Sequence, residues 1–384
     1  MDSKKKRPKK WVACPIEEEY FGDDRKAYRQ ERKLASLRDR SKYKKTDREK
    51  HEKHLTEQRS AKLSKNEWEK GRVISIVPQG ILVSSNGQEF LCTLRGVLKK
   101  ERGLAKNLVA VGDFVLFEKS APEEGLIAHV EPRKTVLSRA DNLSRRKEQL
   151  IAANIDQVLI TTSVLSPPLK PSLIDRYIIA TQKGGMTPLI VVNKIDLLFT
   201  PLAADNPLLE QEKALFEEFI KGYRQAGLQV IPVSTITGEG IALLKEQMRD
   251  KSSVFSGQSG VGKSSLINAL IGTDLRTGKI VQRTKKGTHT TTTTQLIPLD
   301  FGGWCIDTPG IKSFGIWDVN REEVESYFSE IHLIGRMCKF PDCSHLHEED
   351  CAVIQAVEEG RISPLRFESY HDLLHSITQK HLRR

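Results

Sequence analysis

Residues 257–264 read Gly-Gln-Ser-Gly-Val-Gly-Lys-Ser, and they decide the fold of the chain around them. The string matches G-x-x-x-x-G-K-[ST] at every fixed position. It follows the predicted strand 252–256, and it precedes a predicted helix with one apolar face, formed by Leu266, Ile267 and Leu270. The N–H groups of such a loop surround phosphates at the positive end of a helix. The sequence therefore predicts a phosphate-binding P-loop.

The whole loop and the residue after it are predicted to contact the nucleotide: Gly257, Gln258, Ser259, Gly260, Val261, Gly262, Lys263, Ser264 and Ser265. Lys263 is expected to reach the β- and γ-phosphates, and the hydroxyl of Ser264 is expected to bind Mg²⁺.

A second motif indicates which base is bound: Asn193, Lys194, Ile195 and Asp196. It follows the apolar stretch 188–192, and ligands of doubly wound sheets bind at the carboxyl ends of the strands. The Asp196 carboxylate can accept hydrogen bonds from both N1–H and the exocyclic amine of guanine, whereas adenine offers no such donor pair. Ser234 and Thr235, after the next predicted strand, are expected to meet the guanine O6. The predicted ligands are therefore GTP and GDP.

The segment Asp307-Thr308-Pro309-Gly310 is predicted to complete the phosphate site. Asp307 would hold Mg²⁺ through water, and the N–H of Gly310 would sense the γ-phosphate. The five threonines at 290–294 offer a second hydroxyl for Mg²⁺. The alternative is that this run is only a solvated loop.

The residue that orients the attacking water is predicted to be His289. Small GTPases place a glutamine after the D-x-x-G motif, but this chain has Ile311, which cannot orient water. His289 is the nearest suitable side chain, and a neutral imidazole can position water. The alternative is that this histidine is incidental.

The order of the motifs predicts a circular permutation, because Asp196 precedes Gly257, the reverse of ordinary GTPases. Termini that lie close together permit such a rearrangement. Strand-like stretches alternate with helical ones, including a helix from Pro171, which favours an α/β parallel sheet with helices on both faces. The predicted strands are 157–161, 188–192, 229–234, 252–256 and 304–307. Because the switch now leads into the C-terminal region, nucleotide state is expected to move that region as a lever.

Three cysteines and a histidine near the C-terminus predict a metal site: Cys338, Cys343, His345 and Cys351. Cys₃His is a closed tetrahedral set for one structural Zn²⁺. His347 is an alternative fourth ligand on spacing alone, and disulfides are the alternative to metal. Cys92 and Cys305 fall within predicted strands and are expected to be core residues.

The residues before the nucleotide site predict two further parts. Five short strands within residues 69–139 suit a closed barrel of the OB type, whose faces commonly bind oligonucleotides; a barrel used only for protein contact is the alternative. Residues 1–70 hold 23 Lys and Arg against 14 Asp and Glu, an excess of +9 out of +11 for the chain. Residues 1–68 are therefore predicted to be a basic arm, disordered or transiently helical, that contacts RNA. A solvated tail is the alternative.

The chain has 384 residues, of which 38 % are hydrophobic. No stretch is apolar enough for a membrane span, and no apolar segment follows the basic N-terminus as a signal peptide requires. We expect a soluble, cytoplasmic, monomeric protein with no membrane partner. The predicted domains are the arm, the barrel, a GTPase domain over 140–325 and a zinc-binding α-helical domain over 326–384.

Taken together, these motifs resemble the RsgA family of circularly permuted GTPases over about residues 70 to 380. The resemblance implies binding to the small ribosomal subunit and its rRNA, help with late maturation, and release on GTP hydrolysis. It also favours His345 over His347 as a ligand and supports His289 as the catalytic residue. Of the threonines that match the family's T-T-T, namely Thr290, Thr291 and Thr292, Thr291 is chosen for Mg²⁺. The long arm departs from the family pattern.

Two other functions remain as alternatives. An RNA-binding or ribosome-binding adaptor would bind GTP with little turnover, but all of the phosphate and guanine positions are filled. A P-loop kinase or ATPase is disfavoured by Asp196.

Overall fold

The computed structural model describes residues 68–95, 108–141, 144–199, 207–271, 294–307 and 321–382. The arm prediction lies outside these ranges except for Trp68. The predictions for His289, Thr291 and Gly310 also lie outside them.

Thirteen strands lie in the described ranges: β1 (Glu69–Val77), β2 (Gly80–Ser85), β3 (Gln88–Leu94), β4 (Phe114–Ala121), β5 (Glu124–Val130), β6 (Val136–Asp141), β7 (Ser144–Ala153), β8 (Gln157–Ser163), β9 (Thr187–Asn193), β10 (Val230–Pro232), β11 (Ser252–Gly257), β12 (Gln295–Pro298) and β13 (Trp304–Asp307).

The helices of the same ranges are α1 (Pro171–Lys183), α2 (Pro207–Gln225), α3 (Ile241–Met248), α4 (Lys263–Ile271), α5 (Arg321–Val324), α6 (Ser329–Gly335), α7 (Ala352–Glu358) and α8 (Pro364–Leu382). Two short 3₁₀ turns cover Ile195–Phe199 and Glu325–Tyr327. None of these helices is long and apolar enough to cross a membrane.

The first five strands form a closed barrel, which confirms the OB-type prediction. Their hydrogen-bonded order is β1-β2-β3-β5-β4, and β4 pairs back with β1. Inward-facing side chains alternate along the strands because successive residues of a strand point to opposite faces. Val73, Val83, Phe90 and Phe117 belong to the buried interior.

The nucleotide-binding half is a mostly parallel sheet in the order β10-β9-β8-β11-β13, followed by the antiparallel strand β12, which also pairs with β1 of the barrel. This order confirms the α/β prediction. Alternate residues of β8 face opposite sides: Val158 and Ile160 pack beneath α1 and α2, and Leu159 packs beneath α3 and α4. Helices therefore cover both faces, and all the parallel strands end at one edge.

The helix predicted from Pro171 is α1. Proline is tolerated in the first turn, where its missing N–H costs no hydrogen bond. Ile174, Tyr177 and Ile178 are buried on its core face, as their spacing predicts.

A hairpin that the sequence analysis did not predict lies between the barrel and the parallel sheet. Strands β6 and β7 pair antiparallel, and the predicted boundary between residues 139 and 140 falls inside β6. The period-2 signal was weak here because the segment is rich in charged residues, such as Arg139, Arg145 and Arg146.

Arg72 of β1 joins the barrel to the base of the parallel sheet. Its Nη2 donates to the backbone oxygen of Asn154 at 2.9 Å and to the Ser252 hydroxyl at 2.8 Å. The guanidinium also lies over the ring of Trp304. Burial lowers the pKa of Arg72 to about 10, and the carboxylate of Asp156 opposes that shift. An arginine that remains charged therefore satisfies two buried acceptors at this joint.

The C-terminal helices have their own core, to which α1 contributes Ile179. The link to the rest of the chain is also ionic. Arg366 of α8, which is 2 % exposed, pairs with Asp175 of α1 and with Glu330 of α6. Burial alone would lower the pKa of Arg366, but the carboxylates of Asp175 and Glu330 raise it above the ordinary value. The C-terminal domain is thus docked on α1 through a buried ion pair.

Replacing Arg72 with methionine is expected to destabilise the chain by about 2–3 kcal/mol, because two buried acceptors lose their donor. Lys70→Met is the matched control, since Lys70 also lies over the Phe114 ring but is mostly exposed. Its loss is expected to cost about 1 kcal/mol or less. Urea unfolding measures both, and equal costs would contradict the role of Arg72.

Candidate functional site

One edge of the parallel sheet collects the predicted nucleotide residues. The P-loop follows β11, the Asn193 motif follows β9, and Ser234 follows β10. Asp307 is the last residue of β13, which pairs with β11. Doubly wound sheets bind ligands at this edge, so the structure brings together segments that are far apart in the chain.

The P-loop has the backbone that its glycines allow. Gly257 adopts φ 145° and Gly262 adopts φ 91°, both outside the region favoured by other residues. Neighbouring groups also leave no room for a side chain. A Cβ at Gly257 would lie 2.0 Å from the oxygen of Thr161, and one at Gly262 would lie 2.4 Å from Nδ2 of Asn193. The loop is therefore fixed against both β8 and the guanine motif.

Lys263 begins α4 and folds back over the loop. Its Nζ donates to the backbone oxygens of Gly257 at 2.7 Å and Gln258 at 2.6 Å. The ammonium therefore lies inside the curve of the loop, where phosphates are bound in such sites. Ser264 and Ser265, in the first turn of α4, are exposed at the mouth of the loop, as are Ser259 and Gly260, whereas Val261 is buried.

Asn193 connects the guanine motif to the P-loop. Its Nδ2 donates to the backbone oxygen of Val261 at 2.9 Å, and the side chain is 1 % exposed. Lys194 makes a second connection, since its Nζ donates to the oxygen of Gly260 at 2.7 Å. Asn193 and Lys194 of the guanine motif thus hold the P-loop in place.

The Asp196 carboxylate is oriented by Ser234. The Ser234 hydroxyl donates to Oδ1 of Asp196 at 2.6 Å, and it accepts from the N–H groups of Ile236 and Thr237. The hydroxyl that was expected to meet guanine O6 is therefore engaged with Asp196 in this structure. Thr235 follows in the turn and is half-buried, and Ile195 is buried behind the motif.

The loop that connects β8 to α1 also borders this site, and the sequence analysis did not predict its role. The backbone oxygen of Ser166 accepts from Nζ of Lys194 at 2.5 Å, and Pro167 lies near Gly260. No sequence motif that we identified falls in this loop. Its position after a strand at the ligand-binding edge was the available signal.

The predicted metal ligands come together. Nδ1 of His345 lies 3.6 Å from the sulfur of Cys338 and 3.4 Å from that of Cys351, and the two sulfurs are 3.8 Å apart. A tetrahedral zinc site with usual bond lengths requires about 3.6 Å between sulfur and nitrogen and about 3.8 Å between sulfurs. Cys343 completes a set whose ligand atoms all lie within 4.8 Å of one another. The cluster is compatible with zinc.

Burial sets the protonation states at this cluster. It lowers the pKa of His345, which favours the neutral imidazole that binds metal. It also raises the pKa of Cys343 to about 12, together with the adjacent thiols of Cys351 and Cys338. A divalent cation offsets this cost because it stabilises thiolates.

The loop around His345 is held by Glu348. This carboxylate accepts from the hydroxyl and N–H of Ser344 and from the N–H of Leu346. The Ser344 hydrogen bond is the main cause that lowers the pKa of Glu348. The loop turns His345 inward at φ 58° and leaves His347 exposed.

Comparisons with known proteins agree with this geometry. The family profile described as RsgA GTPase matches residues 130–317. The chain is 42 % identical over 309 residues to the Small ribosomal subunit biogenesis GTPase RsgA of Chlorobaculum parvum, covering 78 % of this chain and 94 % of that one.

Two solved structures are similar over most of their length. YjeQ from Thermotoga maritima has a TM-score of 0.63 and 31 % identity, and the match covers 81 % of this chain and 99 % of that one. YloQ, described as a circularly permuted GTPase, has a TM-score of 0.62 and 25 % identity, with 83 % and 97 % covered. The predicted permutation is therefore confirmed. The chain belongs to the RsgA GTPase family and is a GTP hydrolase.

Proposed function

We propose that this GTPase binds the small ribosomal subunit and its rRNA, assists a late step of its maturation, and leaves on GTP hydrolysis. The relative from Chlorobaculum parvum is named for small-subunit biogenesis, and the match covers 94 % of its length. The barrel supplies a fold that commonly binds oligonucleotides.

The observation that carries the GTP-binding part is the hydrogen bonding between the two motifs. Asn193 and Lys194 hold the P-loop from the guanine side, and Ser234 orients Asp196 beside them. Phosphate contacts are assigned to residues 257–265, and base recognition is assigned to Asp196 and Thr235. An oriented carboxylate selects guanine because adenine lacks the matching pair of donors.

Two metal ions are proposed in addition to the nucleotide. Ser264, Asp307 and Thr291 would hold Mg²⁺, which neutralises charge on the phosphates. Cys338, Cys343, His345 and Cys351 would hold one Zn²⁺. Four protein ligands leave no open position, so this zinc is structural. Thiolate ligands require a reducing compartment, which supports a cytoplasmic location.

The outer nitrogen of His345, Nε2, is buried, and a carboxylate oxygen of Glu325 lies 3.8 Å from it. Ligating histidines usually direct their second nitrogen to a carboxylate. This arrangement supports Nδ1 as the ligating atom.

Asp196→Asn is expected to weaken GDP binding by about a hundredfold or more and to admit xanthosine diphosphate, because the amide offers a donor where guanine also has donors. Calorimetric titration of both nucleotides measures the change. Asp372→Asn, an exposed carboxylate on α8, is the control and should bind as the wild type does. Unchanged selectivity of Asp196→Asn would contradict the assigned role.

His345→Ala is expected to lose zinc, whereas His347→Ala is expected to keep it, because only His345 is turned into the cluster. Zinc content after dialysis against a chelator gives the answer. Retention of a full equivalent by His345→Ala, or its loss from His347→Ala, would refute the ligand assignment.

The proposed function is tested by GTP turnover with and without purified small ribosomal subunits. Wild-type turnover is expected to rise when the subunits are added. His289→Ala is expected to lose about a hundredfold or more of this stimulated rate while its GTP affinity stays within twofold, since a general base or water-orienting group acts on the chemical step. An adaptor with little turnover would instead bind subunits without stimulation, and normal turnover of His289→Ala would exclude a catalytic role.

A further inference from the structure

Lys194, which connects the guanine motif to the P-loop, is held by two carbonyl oxygens. One belongs to Gly260 of the P-loop, at 2.7 Å, and the other belongs to Ser166, at 2.5 Å. Lys194 itself adopts φ 64°, which fixes the direction in which its side chain leaves the backbone. The orientation of this ammonium therefore depends on the loop of residues 164–170, to which no role has been assigned above.

This loop is fixed from its own strand and from α2. The buried hydroxyl of Ser163 donates to the oxygen of Pro167 at 2.8 Å. The N–H of Leu165 donates to the carboxylate of Glu212 at 3.4 Å. The rings of Pro167 and Pro168 restrict φ at two successive positions, so the segment transmits a shift better than a flexible loop would.

The far end of the loop enters α1, whose first turns are held by Tyr223 of α2 and by Arg366 of the C-terminal domain. The hydroxyl of Tyr223 lies 3.2 Å from the oxygen of Pro171 and donates to Oδ2 of Asp175 at 2.7 Å. The other carboxylate oxygen of Asp175 accepts from Arg366 of α8, which Glu330 holds through a second pair at 2.7 Å. Asp175 is fully buried, so this ion pair is closed to solvent.

We propose that the loop of residues 164–170 is a positioning element of the guanine site, held by the docked C-terminal domain, so that guanine-nucleotide affinity depends on that docking. The inference rests on the guanine site assigned under the proposed function. Displacement of α1 at Asp175 would shift Ser166 and remove one of the two acceptors of Lys194. Because such coupling is reciprocal, a bound guanine nucleotide stabilises the docked domain by the same factor by which docking raises nucleotide affinity.

The test is a double-mutant cycle read as the dissociation constant of fluorescently labelled GDP. Ser163→Ala loosens the loop, and Arg366→Lys weakens the anchor while keeping the charge opposite Asp175. Each is made alone and together with Lys194→Ala. Each single change is expected to raise the dissociation constant about fivefold to tenfold. In the Lys194→Ala background the same changes are expected to have less than a twofold effect, because the residue that the loop positions is gone.

Arg361→Lys is the matched control, because that arginine is exposed and pairs only with Glu359 in the described contacts. It should leave GDP binding unchanged. Equal losses with and without Lys194 would overturn the proposal, since they would indicate general structural damage, and so would single variants that bind GDP normally. If Arg366→Lys does not fold, Glu330→Gln, which weakens the second partner of Arg366, takes its place as the test of docking, while Ser163→Ala tests the loop. If the wild-type chain does not prefer GDP over ADP, the guanine site itself is refuted. If the wild-type chain does prefer GDP, but Ser163→Ala and Arg366→Lys bind GDP normally, only this inference is refuted.

Discussion

The structure depends on two hydrogen bonds that join the guanine motif to the P-loop. Nδ2 of Asn193 donates to the oxygen of Val261, and Nζ of Lys194 donates to the oxygen of Gly260. Close packing of Asn193 against Gly262 leaves no space for a side chain at that glycine. The two motifs are thus held together by direct contacts, which set the spacing between them.

These contacts explain how a permuted chain forms a working GTPase. The sheet places the ends of β9, β10, β11 and β13 along one edge, whatever their order in the sequence. The β8–α1 loop approaches Lys194, and α1 carries Asp175, to which Arg366 anchors the C-terminal domain. The expectation that the switch moves this domain as a lever stays a prediction. Such a movement must either break the ion pair between Arg366 and Asp175 or move α1 together with the domain.

Much of this arrangement could be predicted because local sequence rules decide it. The P-loop, the Asn193 motif and the Cys₃His spacing each require fixed residue types at fixed separations. The barrel strands were visible from alternating apolar residues, and Cys92 and Cys305 are buried as expected. The missed features depend on contacts between distant segments. Neither the pairing of Arg366 with Asp175, 191 positions apart, nor the approach of Ser166 to Lys194 has a local signature. The hydroxyl of Ser234 was assigned to the base because sequence gives its place at the edge but not its direction.

The most direct test of the central claim is a side-by-side titration of the wild-type chain with GDP and ADP. A P-loop braced against an oriented Asp196 is expected to bind GDP about a thousandfold or more tightly than ADP, because adenine offers that carboxylate no matching pair of donors. Equal affinities for the two nucleotides would show that the phosphate loop acts without the guanine motif, and would contradict the account.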